Sequence, residues 1–291
     1  MQEAQALSLS PSRGVITVDP GVTGDVVVNF TNDEEAKVIL QLGVTGLKQD
    51  QAGRPIFGAG FDAAESWVVP EKSDIELGPG ERQAIIFKVT VPPGATPGSH
   101  WVALAAETRP GVGGSAVVNS RLVSLLAIQV AGVVTEDLSL DAKLEEHVAV
   151  GGETLPLSVQ LLNNGNIEVP LVGKVTFRSL SGRELKTTPF IVGNQLLPQA
   201  ERTVEYAVVA GRNKQCAAES NTSLCAELFW PGLYKMTTSI TYGKTQQVVV
   251  GEESFWYLPL WSLGGGIVLV GLVVFSVRKV RRRSMFQKYV S

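Results

Sequence analysis

Two cysteines, two histidines and scattered acidic residues are the raw material for chemistry in this 291-residue chain. Cys216 and Cys225 stand nine positions apart in GRNKQCAAESNTSLCAELFW. In an oxidising compartment such a pair is expected to close a disulfide, a cross-link worth ~2–3 kcal/mol when unstrained. A metal site would need further ligands, and His100 and His147 are far away in sequence; a redox pair would more usually take the C-x-x-C spacing. A serine nucleophile wants a sharp G-x-S-x-G turn and a histidine, whereas Gly113-Gly114-Ser115 lies in RPGVGGSAV, whose glycines are explained by a hairpin turn. Asp33-Glu34-Glu35 could collect a hard cation but lacks paired acids elsewhere to fill the shell, and Glu145 and Glu146 read as solvated strand-edge acids rather than a sugar-cleaving pair. Phosphate-loop and dinucleotide fingerprints are missing. The expectation is a chain that is not an enzyme, with no cofactor and no metal. The formal net charge of −3 speaks against a nucleic-acid partner.

The elements that must position any site are strands. From Leu7 to Val250 there is no sustained helical period, but short β-branched and aromatic runs separated by Gly, Pro and Asn, such as DVVVNF, KVILQLGV, QAIIFKVTV and WVALAAE. A second set, PLSVQLLN, GKVTFR, RTVEYAVV and GLYKMTTSITY, repeats the plan. Three anchors recur in order: an Asn-bearing strand end (Asn32, Asn163), a Leu-x-Pro turn (Pro79, Pro198) and a Pro-Gly before a strand (Pro97, Pro231). The fold expected is all-β, two tandem immunoglobulin-like sandwiches over 7–132 and 133–250, the second with a disulfide-stapled insertion at 211–226. The alternating run Arg121 to Val130 ends the first sandwich and could also complement a partner strand. The irregular stretch 46–76 carries Phe57, Phe61 and Trp67, the last read as core.

The C-terminal region has a different character. No charge occurs from Phe255 to Val277, and the twenty residues from Leu258 to Val277 would span ~30 Å as a helix. A transmembrane helix is therefore expected at 255–277, with Phe255, Trp256, Tyr257 and Trp261 as its membrane-interface aromatics. Arg278, Lys279, Arg281, Arg282, Arg283 and Lys288 follow, a cytoplasmic basic anchor within the tail 278–291. These are six of the 25 basic residues, which leaves 19 against all 28 acidic residues before Arg278. The charge asymmetry orients the chain with its sandwiches outside the cytoplasm and its tail inside, as a single-pass cell-membrane protein. Gly264, Gly265, Gly266 and Gly271 offer a small-residue face through which a weak homo-oligomer could form. Residues 1–6, with the small-x-small Ala4-Gln5-Ala6, read as the remnant of an export region.

With the strands assigned, the first domain resembles the N-terminal domain of periplasmic pilus chaperones. The matching segments are Leu7 to Ile16, the strand ending Asn32-Asp33, Trp67-Val68-Val69-Pro70 ahead of Leu77-Gly78-Pro79-Gly80-Glu81, His100-Trp101-Val102-Ala103-Leu104, and the strand 121–130. The resemblance implies that Arg13, on the first strand, could help hold a pilin carboxylate. The Lys expected on the last strand is absent, and Arg121 is the nearest base. The whole-chain layout is similar to the WxL-interacting family of Gram-positive surface proteins, which implies a first domain associated with peptidoglycan and a second with partner surface proteins. The function expected is a membrane-anchored extracytoplasmic scaffold that binds a surface protein or cell-wall polymer. A tethered chaperone for surface-fibre or pilus subunits stands second, and an accessory subunit of an envelope enzyme third.

Overall fold

In the computed structural model, described over residues 7–109, 120–193, 195–211, 223–265 and 272–278, nearly all regular structure is β. Local alternation explains it. In β3 (Thr23–Asn32) Val28, Phe30 and Asn32 point inward, and in β8 (Arg82–Thr90) Ile85, Phe87 and Val89 do so. A period of two buries one face of each strand. β1 (Leu7–Ser10), β3, β8 and β6 (Val68–Pro70) form one sheet in the order β1-β3-β8-β6. β2 (Arg13–Val18), β10 (Arg121–Val130), β9 (Gly98–Thr108), β4 (Val38–Gln49) and β5 (Pro55–Gly58) form the other, with β7 (Asp74–Leu77) paired to β4. The chain switches sheets between β1 and β2. Phe30, Phe87, Leu40, Leu77, Leu104, Leu126 and Ile128 fill the space between the sheets.

The second pair of sheets repeats this wiring except at one edge strand, which is parallel to its neighbour where β6 is antiparallel to β8. One is ordered β11-β13-β17-β18, from β11 (Leu138–Leu144), β13 (Thr154–Asn163), β17 (Glu201–Ala210) and β18 (Ser223–Ala226). The other is β12-β20-β19-β14-β15, from β12 (Val148–Val150), β20 (Gln247–Leu258), β19 (Gly232–Tyr242), β14 (Val169–Ser179) and β15 (Glu184–Phe190), with β16 (Gln195–Leu196) paired to β14. Leu155, Leu157, Phe177 and Phe255 are among its fully buried side chains. Two compact units divide the chain: Met1–Ser139 with Leu162–Pro170 and Gln195–Arg202, and Leu140–Leu161 with Leu171–Asn194 and Thr203–Ser291.

The repeated anchors are physical. Asn32 is fully buried, and its Nδ2 donates to the carbonyls of Ala36, Leu77 and Gly78 while its Oδ1 accepts from the Glu34 amide. Asn163 repeats the device on the carbonyls of Ile167, Leu196 and Leu197 and the amide of Gly165. In each sandwich the asparagine ties a strand end to the Leu-x-Pro turn and satisfies backbone groups that would otherwise be buried bare.

The C-terminal boundary moves. β20 continues to Leu258, eight residues past the expected end of the sandwich at 250, so Phe255, Trp256 and Tyr257 are strand residues. Phe255 and Tyr257 are buried, and Trp256 faces outward. The core, not a lipid headgroup layer, takes the first and third rings. Helical residues occur at 260–265 and 272–278. Among the described residues no helix is long and apolar enough to cross a membrane, and Gly266 to Gly271 and the tail from Lys279 lie outside them.

Candidate partner-binding site

Neighbouring strands put defined side chains side by side on the outer face of the β10 sheet. The register aligns Arg13 of β2 with Leu125 of β10, Ala103 of β9 and Thr45 of β4; one step along, Val123 aligns with Ala105 and Gly43. Ala103, Ala105 and Gly43 are small and sit low between the larger side chains of Arg13, Trp101 and Leu125, and both alanines are buried. A Cβ built on Gly43 would meet nothing within 4 Å. Val15 of β2, opposite Ala127, adds an exposed apolar side chain.

Where β10 begins, this sheet has an uncovered edge. β2 pairs with β10 in parallel only from Leu125 to Val130, although β9 pairs with it from Arg121. Among the described residues no strand pairs with the outer side of Arg121 to Ser124. The Leu125 amide donates to the Ser12 carbonyl, toward β2. Backbone groups alternate sides along a strand, so the N–H and C=O of Arg121 and Val123 point to the open side. Two edges of this sandwich are blunted: β5 has four residues and begins with Pro55, and β6 has three and ends in Pro70. The second sandwich leaves a comparable edge on β20, of which β12 covers only Trp256 to Leu258. That edge carries Glu252 and Glu253, the kind of charge that discourages strand addition.

The two arginines singled out from sequence do not converge. Arg13 stacks 4.7 Å over the Trp101 ring and donates through Nη2 to Gln195 Oε1 at 2.5 Å, both within the first compact unit. Arg121 pairs with Glu107 at 3.2 Å and lies 5.9 Å from the Phe57 ring centroid. Arg13 sits opposite Leu125, four residues beyond Arg121, which separates the two by ~13 Å along the strand. A two-base carboxylate clamp is not assembled from them.

A pair that sequence reading passed over lies beside this face. Asp62 caps the short 3-10 helix Ala63–Trp67: its Oδ1 accepts from the Ala64 amide at 2.9 Å and its Oδ2 from the Trp101 amide at 3.2 Å. His100 Nδ1 lies 3.0 Å from Asp62 Oδ1 and its Nε2 3.0 Å from the Thr96 carbonyl oxygen. Both ring nitrogens face acceptors, so both contacts are hydrogen bonds only when the ring is doubly protonated. Burial pushes His100 down, but the bonds to Asp62 and Thr96 and the charge of Asp62 outweigh it and hold the pKa above 6.5. Burial pushes Asp62 up, and the His100 bond, the two amides and the His100 charge more than reverse it, holding the carboxyl below 3.8.

The sign of the pH dependence follows. The His100 contribution is whole below its unfolded pKa and fades as pH rises through its raised folded value; that of Asp62 is present above its unfolded pKa and fades as pH falls through its lowered one. Comparing wild type with His100→Gln by thermal unfolding, the stability difference should be on the order of 1–2 kcal/mol near pH 5.5 and shrink by about pH 8. A difference that grows with pH would mean that the neutral ring is the stabilising form.

Other residues named from sequence are dispersed. Cys225 falls on β18, where Val209 of β17 is its parallel partner, and it is disulfide-bonded; Cys216 lies outside the described residues. So do Gly113-Gly114-Ser115, Lys279 and Arg281 to Arg283, whereas Arg278 ends the described chain. Asp33 accepts from Ser8 Oγ at 3.2 Å, and no group of His, Cys, Asp and Glu among the described residues could hold a metal ion. Trp67 is core and packs 4.7 Å from the His100 ring.

No family model and no curated protein matches the chain. Among solved structures it is similar to a chain of the chaperone–tip adhesin complex of CFA/I fimbriae, with 9% identity, 85% of this chain and 98% of that one covered, and a TM-score of 0.49. It is also similar to the class 5 fimbriae chaperone CfaA, with 10% identity over 88% of this chain and 100% of that one at a TM-score of 0.48. For the E. coli chaperone DraB the identity is 11% over 87% and 97%, at a TM-score of 0.42. Likeness at this level carries no residue, ligand or partner across.

Proposed function

We propose that this protein binds an extended segment of another envelope protein along the open start of β10, without chemistry, as a chaperone for surface-fibre subunits. The observation that carries the reading is the unpaired side of Arg121 to Ser124 at the start of β10. An added strand would take its hydrogen bonds from the Arg121 and Val123 backbone and set alternate side chains beside Val123 on the outer face. Of the segments that resemble pilus chaperones, those on β1, β2 and β10 border this edge, and those on the end of β3, the 3-10 helix with β6, the turn after β7 and β9 lie elsewhere in the sandwich. With Arg13 engaged by Trp101 and Gln195, recognition rests on backbone pairing rather than on a carboxylate clamp.

The uncharged stretch Leu258 to Val277 and the basic residues after it support a second element of the reading, a membrane anchor with both sandwiches outside the cytoplasm. Within the same proposal, Cys216 is the bonding partner of Cys225, and the layout resemblance to WxL-interacting proteins marks a wall-facing surface role as the competing assignment.

Val123→Pro tests the binding mode. It removes an N–H that faces the open side, where the β9 ladder does not need it, so folding should be nearly untouched. Isolated from envelope extract with its ligands, the full chain should retain a fibre subunit identifiable by mass spectrometry. The variant should lose about tenfold in affinity for it, roughly 1.4 kcal/mol. Retention of wall polymer or of an enzyme instead, or binding indifferent to the proline, would overturn the proposal.

A further inference from the structure

Three large aromatic rings gather on the surface of the second compact unit, and two of them lie outside the apolar C-terminal stretch. Phe229 and Trp230 occupy the turn between β18 and β19, and Trp261 follows β20 at the start of the helical residues. Phe229 lies 5.3 Å from Trp230 and 5.9 Å from Trp261, and the two indoles are 5.8 Å apart. The turn is held by Tyr234 Oη, which donates to the Trp230 carbonyl at 2.7 Å. Yet the rings remain 54%, 65% and 51% exposed, and Leu260 beside them is 69% exposed. Clustered aromatic surface of this kind facing water is unfavourable and marks an interaction site.

We infer that Phe229, Trp230 and Trp261 form one patch seated in the headgroup layer of a lipid bilayer. Chain continuity selects this occupant. Trp261 is the second of the eighteen uncharged residues 260–277 that follow β20 and Pro259, a stretch whose length as a helix, ~27 Å, is close to the ~30 Å of the hydrocarbon layer. A bilayer that takes the stretch brings Trp261 to its outer interface, and the ring contacts carry Phe229 and Trp230 there with it. Indoles suit that layer because one edge is apolar and the other offers an N–H. The second sandwich is then braced on the membrane at two points in the sequence rather than hung from one. The inference rests on the membrane-anchor reading proposed above.

The test reconstitutes the full chain into vesicles of phosphatidylcholine and phosphatidylglycerol, with bromine atoms placed high or deep in the acyl chains, and compares Trp230→Phe. Trp67 and Trp101 are buried, so quenching by shallow bromines reports Trp230, Trp256 and Trp261. The variant should lose roughly one third to one half of that quenching, one half where only Trp230 and Trp261 reach the interface and one third where Trp256 does too, and alkaline carbonate should not release either protein. A carbonate-resistant chain whose shallow quenching is the same in the variant overturns the patch and leaves the anchor standing. Quenching that depends on Trp230 in a chain released by carbonate overturns the span and leaves the patch as a peripheral contact. A chain that does not float with the vesicles overturns both.

Discussion

Replacing Asn32 with Ala is expected to destabilise the first sandwich by about 3 kcal/mol or more, as is Asn163→Ala in the second. Each side chain is fully buried and donates to three carbonyls. Alanine leaves those oxygens and one amide without their side-chain partner, and each buried polar group left unsatisfied costs ~1–3 kcal/mol. Incoming water would recover part of this. Asn32→Asp keeps the shape but turns two donor hydrogens into acceptor lone pairs against three acceptors, so it should cost at least as much as alanine. Against a total stability of about 5–15 kcal/mol, either change should move the denaturant midpoint of the full chain far down. A loss below about 1 kcal/mol for both alanine variants would show that the turns hold their place without the clamp.

The two ends of that clamp were legible in the sequence, but their connection was not. Asn32 and Asn163 stand out as matching strand ends, and Pro79 and Pro198 as matching turns. Nothing local says that one binds the other, because Asn32 and the Leu77 carbonyl are 45 residues apart in the chain. Alternation in segments such as QAIIFKVTV was sufficient for the strands, since a period of two needs only neighbours. Sheet order depends on where the chain changes sheets, and at Ser10-Pro11-Ser12 it does so within three residues.

The candidate site divides along the same line. The alternating strand β10 could be read directly, whereas its open edge exists only because β2 starts at Arg13 and pairs first with Leu125. Arg13 came from a family resemblance, and its engagement by Trp101 and Gln195 depends on residues 88 and 182 positions away. His100 and Asp62, 38 residues apart, gave no signal: a single histidine in a strand and a single aspartate in an irregular stretch have no spacing to read. Phe229 and Trp230 were equally silent. Only the fold brings them to Trp261.

The C-terminal boundary yields the second large effect. Phe255→Ala should destabilise the second sandwich by about 3–5 kcal/mol, whereas Trp256→Ala should stay within about 1 kcal/mol. In the sequence FWYLPLW both residues look like interfacial aromatics, because a run of large apolar side chains has no period that separates a buried strand from the start of a span. Pro259 is the local signal for the change of structure, since it cannot donate to a ladder and suits the first turn of a helix. β20 pairs with β19 up to Tyr257, and Phe255 stands opposite Tyr234. Its ring meets that of Phe177 edge-on at 6.5 Å with no exposure to solvent. Truncation there opens a cavity in a packed core, and the cost joins lost transfer energy to lost contacts. Trp256 points the other way and is half exposed. Thermal unfolding of the full chain in detergent should therefore separate adjacent residues that composition treats alike. If instead Phe255→Ala left the melting temperature in place and weakened partition into vesicles, β20 would end early and the aromatic run would belong to the membrane.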